Sequence, residues 1–235
     1  MFTPPHLAPP TMCDVRSSST QTEFRTSVHL HAVRYISSFA STVLSVSQDK
    51  AVVWRDDGET LKICRSMPGD FRCGRTISGP NSAEIAVLFS DSSIACYDAD
   101  CFAMTRQYIL PAVEGDVALT SFDVSADGKF LAAAGNNAML YLWDLSSDVL
   151  LSIAEMPPSA SAVVQLEYSK AQFSSSGPIP LFVLGDDGRI LALDFTPAGC
   201  TVLYEIFAPQ EALTHFSVDR PSKYLAASTS TGALR

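Results

Sequence analysis

The sequence predicts an all-β chain of repeated antiparallel four-stranded units, and three observations carry that prediction. First, the stretch Leu119 to Leu145, LTSFDVSADGKFLAAAGNNAMLYLWDL, reads as three short strands cut by two tight turns. Phe122 and Val124 alternate with polar residues, Ala126-Asp127-Gly128-Lys129 turns, and Phe130 to Ala134 runs back. Gly135-Asn136-Asn137 turns again, and Met139 to Trp143 ends on Trp143-Asp144. Apolar, β-branched or aromatic runs between Gly, Asn and Asp punctuation are the marks of an antiparallel meander. Second, FDVSADGKFLAAA (Phe122 to Ala134) aligns without gaps on FSVDRPSKYLAAS (Phe216 to Ser228), an offset of 94 residues that fits two units of about 40 to 50 residues each. Third, a turn Asp or Asn recurs at a fixed distance before an aromatic or apolar residue followed by Asp. Asn137 stands six before Trp143-Asp144, Asp187 six before Leu193-Asp194, and Asp91 six before Tyr97-Asp98, while Asp49 precedes Trp54 by five. These positions, 54, 97, 143 and 193, are spaced by 43, 46 and 50 residues.

The elements follow in order. Residues 1–26 carry Pro4, Pro5, Pro9, Pro10 and the run Ser17-Ser18-Ser19-Thr20 without periodicity, and read as a disordered Pro/Ser-rich leader. A ligand for a proline-binding domain is the sharper alternative, but no P-x-x-P stands beside a basic residue in good register. Residues 27–235 hold the strand-rich units. The first, from about Val28 to Met67, uses Val43 to Ser47, Ala51 to Trp54 and Leu61 to Ile63, with Asp57-Gly58 as a hairpin turn. The second covers about Phe71 to Leu110, the third Ala118 to Met156 and the fourth Val163 to Phe207. The last begins at Leu213, has strands at Thr214 to Val218 and Tyr224 to Ser228, and opens a third at Thr231-Gly232.

With the closing Trp143-Asp144 pair, such units resemble the blades of a WD40 β-propeller. The expected fold is therefore an all-β, incomplete WD40 β-propeller of about four and a half blades behind a disordered leader. Closure is what removes sheet edges from a propeller, so a chain ending mid-blade is expected to be a fragment of a longer protein. The turn Asp or Asn is expected to bond backbone amides and tolerate unusual φ. The aromatic six residues on is expected to bury against the neighbouring blade, which makes Trp54 and Trp143 core residues rather than ligand contacts.

Composition narrows the function classes. A 47% hydrophobic and 17% charged chain of 235 residues suits stacked sheets with a sizeable core. Net charge is −9 with no basic cluster, which argues against nucleic acid and anionic membranes as partners. An acidic surface also simply keeps a propeller soluble. The six cysteines (13, 64, 73, 96, 101, 200) show no C-x-x-C pair and no zinc-finger spacing. With no signal-peptide pattern and no uncharged apolar run of spanning length, the cytoplasm is the expected compartment, with reduced thiols.

Candidate chemistry is weighed against structural roles. The carboxylates Asp56-Asp57-Gly58-Glu59, Asp91, Asp98, Asp100 and Asp186-Asp187-Gly188 would suit a propeller hydrolase only if they converged on the central channel. Each coincides with an inter-strand turn, and none forms a calcium loop. His29 and His31 alternate on one strand face and could begin a metal site. His6 and His215 supply no evident third ligand, so a half-exposed strand face is the favoured reading. No G-x-S-x-G, phosphate loop or dinucleotide pattern is present. No catalytic, cofactor-binding or metal-binding residue is assigned, and no cofactor is implied. Protein binding through the propeller faces is the expected activity. Loops carry such function, and Arg34 to Ser41, Arg65 to Asp70, Pro158 to Ser161 and Lys170 to Pro180 are the candidate segments.

Five segments together resemble one family. SQDKAVVW at 47–54, GKFLAAAGNNAMLYLWDL at 128–145, LGDDGRILALDF at 184–195, YEIFA at 204–208 and SKYLAASTSTGAL at 222–234 look like the propeller of the WD-repeat TBC-domain proteins. The short spacing from Asp49 to Trp54 is similar to an irregular blade of that family. The resemblance covers about 28–235 and looks like the third blade onward. It implies a scaffold of the centrosome, centriolar satellites or ciliary basal body, in a longer protein carrying a TBC domain and coiled coil. The family's arginine-finger and glutamine-finger motifs, I-x-x-D-x-x-R and Y-x-Q, are absent from this chain. A substrate or trafficking adaptor, in a ubiquitin-ligase or Rab pathway, is the alternative.

Overall fold

The computed structural model of the chain describes residues 15–16, 28–39, 41–56, 60–78, 83–111, 117–156, 161–170, 179–206, 212–219 and 224–234. Their regular structure is entirely strand. Blade one holds β1 (Val15–Arg16), β2 (Val33–Phe39), β3 (Thr42–Ser47), β4 (Lys50–Asp56) and β5 (Thr60–Pro68). Blade two holds β6 (Phe71–Ser78), β7 (Ala83–Phe89), β8 (Ile94–Asp98) and β9 (Met104–Tyr108). Blade three follows with β10 (Leu119–Val124), β11 (Phe130–Gly135), β12 (Met139–Asp144) and β13 (Val149–Glu155). Blade four consists of β14 (Val163–Tyr168), β15 (Leu181–Gly185), β16 (Ile190–Thr196) and β17 (Gly199–Ile206). A half-blade pairs β18 (Leu213–Val218) with β19 (Leu225–Thr229), and Leu234 bridges back to Ser228. Within each blade the strands lie side by side in chain order, innermost first, as antiparallel meanders, except that β1 joins blade one at its outer edge beside β5.

These are the four and a half blades expected of the all-β WD40 arrangement. Of residues 1–26, only Val15–Arg16 are described; they pair with Leu61 and Thr60 on the outer edge of blade one. The Asp57-Gly58 turn lies outside the described residues. One expectation is corrected. Arg34 to Ser41 is not a loop: all but its last two residues belong to β2, the innermost strand of blade one.

The second-to-third-strand turns explain the recurring Asp and Asn. The amides of Ser93, Met139 and Arg189 donate to Oδ1 of Asp91, Asn137 and Asp187, at 2.9, 3.2 and 3.1 Å. The next residue in each blade takes the left-handed backbone, with φ of 68° at Ser92, 54° at Ala138, 76° at Gly188 and, in the half-blade, 84° at Gly232. The unusual φ thus falls one residue beyond the Asp or Asn. A side-chain oxygen that fixes an amide two residues on leaves the intervening residue to absorb the reversal. Blade one does without it. Five residues separate the paired Leu88 and Ile94, Ala134 and Leu140, and Leu184 and Ile190, but four separate Val46 and Ala51. That missing residue is the short step from Asp49 to Trp54.

The core lies between blades rather than inside one. Cys73, Leu88, Cys96 and Tyr108 of blade two pack with Phe122, Leu131, Tyr141 and Trp143 of blade three. Leu140 and Leu142 of blade three pack with Leu166, Val183 and Leu193 of blade four. Burial pushes the Cys73 and Cys96 thiols up to about 11 and about 12, so both sit as small protonated hydrophobes. Close approach between strands also sets one glycine. A Cβ on Gly135 would stand 2.1 Å from the Ala118 carbonyl oxygen. Gly135→Ala is therefore expected to lower stability by about 1–3 kcal/mol through forced separation of β10 and β11, read as an earlier urea midpoint.

Candidate interaction surface in the central channel

The first strands of the blades, β2, β6, β10, β14 and β18, line a cavity of about 1290 Å³. Each of these strands carries a β-bulge at the same place, where its ladder to the second strand slips. The slips fall between Val33 and Tyr35, Phe71 and Cys73, Leu119 and Ser121, Val163 and Gln165, and Leu213 and His215. The bulged residues are therefore Arg34, Arg72, Thr120, Val164 and Thr214. A bulge re-aims the side chain it carries. Three residues further along each strand come Ser37, Arg75, Asp123, Glu167 and Ser217, which also line the channel.

Side chains stitch these inner strands to one another. Ser37 Oγ accepts the Thr76 amide at 3.0 Å, Ser121 Oγ accepts the Leu166 amide at 3.1 Å, and Asp123 Oδ2 accepts the Tyr168 amide at 2.8 Å. Thr120 Oγ1 donates to the Val163 carbonyl at 2.6 Å. Gln165 spans to the half-blade, accepting the Phe216 amide at 3.2 Å and donating to its carbonyl at 2.7 Å. Arg75 donates from Nε to Asp123 Oδ1 at 3.2 Å, and its guanidinium lies 5.6 Å from the centroid of the Tyr35 ring. Little of either ion-pair partner is exposed, 15% of the Arg75 side chain and 9% of that of Asp123. Lys170 pairs with Glu167, whose carboxyl burial pushes upward from its ordinary range.

The predicted chemistry is distributed differently. Asp56 ends β4, Asp98 ends β8 and accepts the Asp100 and Cys101 amides, and Asp186 accepts from Ser161. They occupy separate turns of blades one, two and four, and none is among the channel-lining residues. The convergence that a propeller hydrolase requires is not present in these three. Among the described residues, no group of three or more His, Cys, Asp or Glu could hold a metal ion. Nor, among the described residues, is any helix long and apolar enough to cross a membrane.

The histidines are corrected. His29 and His31 precede β2 rather than alternating on it. His29 bonds Ser45 Oγ through Nε2 at 2.8 Å and Ser47 Oγ through Nδ1 at 2.6 Å. Trp54 Nε1 donates to the same Ser45 oxygen at 2.8 Å, and Ser47 donates to Asp49 at 2.8 Å. His31 Nδ1 reaches Asp49 at 3.1 Å. One polar chain therefore ties Trp54 to the turn. Its only sequence signal is the co-occurrence of His29, Ser45, Asp49 and Trp54.

This chain predicts a response to acid. Burial holds the His29 pKa below its usual value near 6.5, so the folded state resists a proton that the unfolded state accepts. Stability is expected to fall as pH drops through about 6.5, until His29 charges in the folded state. Desolvation opposes ionisation of Asp49, yet hydrogen bonds from Ser47 and His31 hold its carboxyl down at about 2. A second loss should follow below about pH 4, as carboxylates of the unfolded state protonate first. Thermal melts across this range should show the upper step flattened in His29→Gln and the lower one in Asp49→Asn.

Of the other candidate segments, Arg65 to Pro68 lies in the outer strand β5, with Gly69 and Asp70 crossing to blade two. Residues 157–160 and 171–178 lie outside the described residues; Ser161 and Lys170 are held by Asp186 and Glu167.

No family model matches the chain. In sequence it is similar to TBC1 domain family member 31 of Xenopus laevis, 28% identical over 208 residues that cover 88% of this chain and 19% of the relative. The Homo sapiens protein of the same name is 27% identical over 191 residues, 81% of this chain and 18% of the relative. The chain thus spans about a fifth of the length of the curated relatives it matches. In structure it is similar to the β-propeller domain of Myceliophteria thermophila Cps50 (Swd1), with a TM-score of 0.66 and 18% identity over 85% of this chain and 70% of that one. The Neurospora crassa Pan2 WD40 domain follows at a TM-score of 0.59 and 16% identity, over 83% and 59%. A chain of a mitotic checkpoint complex gives a TM-score of 0.69 at 14% identity, over 95% and 67%. The chain is therefore a WD40-type β-propeller, similar in sequence to a portion of TBC1 domain family member 31.

Proposed function

We propose that the chain is a non-enzymatic protein-binding scaffold, working as the propeller segment of a centrosomal or ciliary assembly. The observation that carries this reading is the similarity to TBC1 domain family member 31 over 88% of the chain. The stitched inner strands support it, because they present backbone-anchored side chains on a rigid frame, the arrangement that suits recognition. Residues 1–26 serve as a leader, and 27–235 as the interaction domain, in the cytoplasm.

Tagging the chain in ciliated cells tests the proposal, by imaging against a centriole marker and by proximity labelling. Concentration at centrosomes with labelled centriolar proteins is the expected result. Diffuse staining with ubiquitin-ligase or coat subunits among the labelled proteins would replace the ciliary reading with the adaptor one.

A further inference from the structure

We infer that the channel mouth between blades one and two is a binding site for an acidic peptide segment, gripped by Arg34 and Arg72; the inference rests on the protein-binding reading above. The chain carries −9 overall, yet the cavity is lined by Arg34, Arg72, Arg75 and Lys170 against the carboxylates of Asp123 and Glu167. Arg75 and Lys170 are the two cations already matched, one to each carboxylate. That leaves two guanidinium groups. Arg34 is exposed, and among the described residues its hydrogen bond is to Gln48 Oε1, at 3.5 Å. Among the described residues, the buried Arg72 Nε has no hydrogen-bond partner, so nothing there offsets its desolvation.

The placement is repeated geometry. Arg34 and Arg72 are the bulged residues of two adjacent inner strands, β2 and β6, which Ser37 and Thr76 hold together. The equivalent position in the next blade is Thr120, whose hydroxyl is consumed by the Val163 carbonyl. Blades one and two therefore differ from blade three where their side chains enter the channel. Guanidinium forks at that position match carboxylates bidentately, on a chain whose net charge of −9 otherwise disfavours an anionic ligand. A short extended segment carrying Glu or Asp is the occupant of that chemistry.

The test is fluorescence anisotropy on the full chain with a labelled oligo-glutamate peptide, an oligo-glutamine counterpart and a single-stranded oligonucleotide. The glutamate probe is expected to bind, to weaken steeply with added salt, and to lose about tenfold or more in Arg34→Gln/Arg72→Gln, which removes two charge-assisted contacts. Arg34→Glu, at an exposed position, should weaken binding with an unchanged melting temperature, and so guards against a folding artefact. No binding of the glutamate probe, equal binding of the glutamine probe, or full binding by the double variant would overturn the assignment. So would equal binding of the oligonucleotide, which would mark a general polyanion surface. Proximity labelling by the wild-type chain keeps the two readings apart. Centriolar partners recovered without glutamate binding remove only the channel site; no partner recovered removes the scaffold reading itself.

Discussion

Asp123→Ala is expected to cost about 3–5 kcal/mol, because it strands a buried guanidinium. Asp123 sits on β10 with one oxygen on Arg75 of β6 and the other on the Tyr168 amide of β14, so a single carboxylate joins three blades. Truncation removes both contacts and leaves the Arg75 guanidinium without its carboxylate and the Tyr168 amide without its acceptor between the blades. Residual attraction to Glu167 and the Tyr35 ring keeps Arg75 from total isolation. Asp123→Asn retains an acceptor for the Tyr168 amide and should lose less. Urea denaturation with a constant slope measures both. An Asp123→Ala variant within about 1 kcal/mol of the parent would mean that the pair is as weak as a surface salt bridge.

Trp143→Ala should be as damaging, at about 3–5 kcal/mol for an aromatic removed from a closed core. Trp143 is 3% exposed, lies 6.0 Å from the Tyr141 ring and, across the blade interface, 6.0 Å from the Tyr108 ring. Its loss opens a void between blades two and three that two flat rings cannot collapse to fill. Trp143→Phe should recover much of the difference. Melting temperatures of the pair would show it; equal values for Ala and Phe would place the energy elsewhere than in packing.

The repeating turns and the blade limits were legible because they are local. Asp91, Asn137 and Asp187 act on amides two residues away, and Tyr97, Trp143 and Leu193, six residues on, sit on the same hairpins. Trp143 was likewise readable as core from its place at the end of a third strand. The inner strand β2 was not. Its residues are mostly exposed along VRYISS, with the bulge at Arg34 breaking the alternation that marks a strand. Periodicity reports burial, and a strand facing a wet channel has too little burial to report. The His29 chain was hidden for another reason. Its contacts reach 16 and 18 residues along the sequence and depend on the fold of blade one. The pairing of Arg34 with Arg72 at one mouth likewise requires knowing the register of two blades.

The side-chain stitches between inner strands have a direction. Ser37 receives an amide from Thr76, Ser121 from Leu166 and Asp123 from Tyr168, so three times the acceptor belongs to the earlier blade and the amide to the later. Gln165 continues the series by receiving the Phe216 amide. During synthesis the amino-terminal part of a chain leaves the ribosome first. Each side-chain receptor is therefore translated before the strand whose amide it accepts, so the order of the stitches follows the order of the chain.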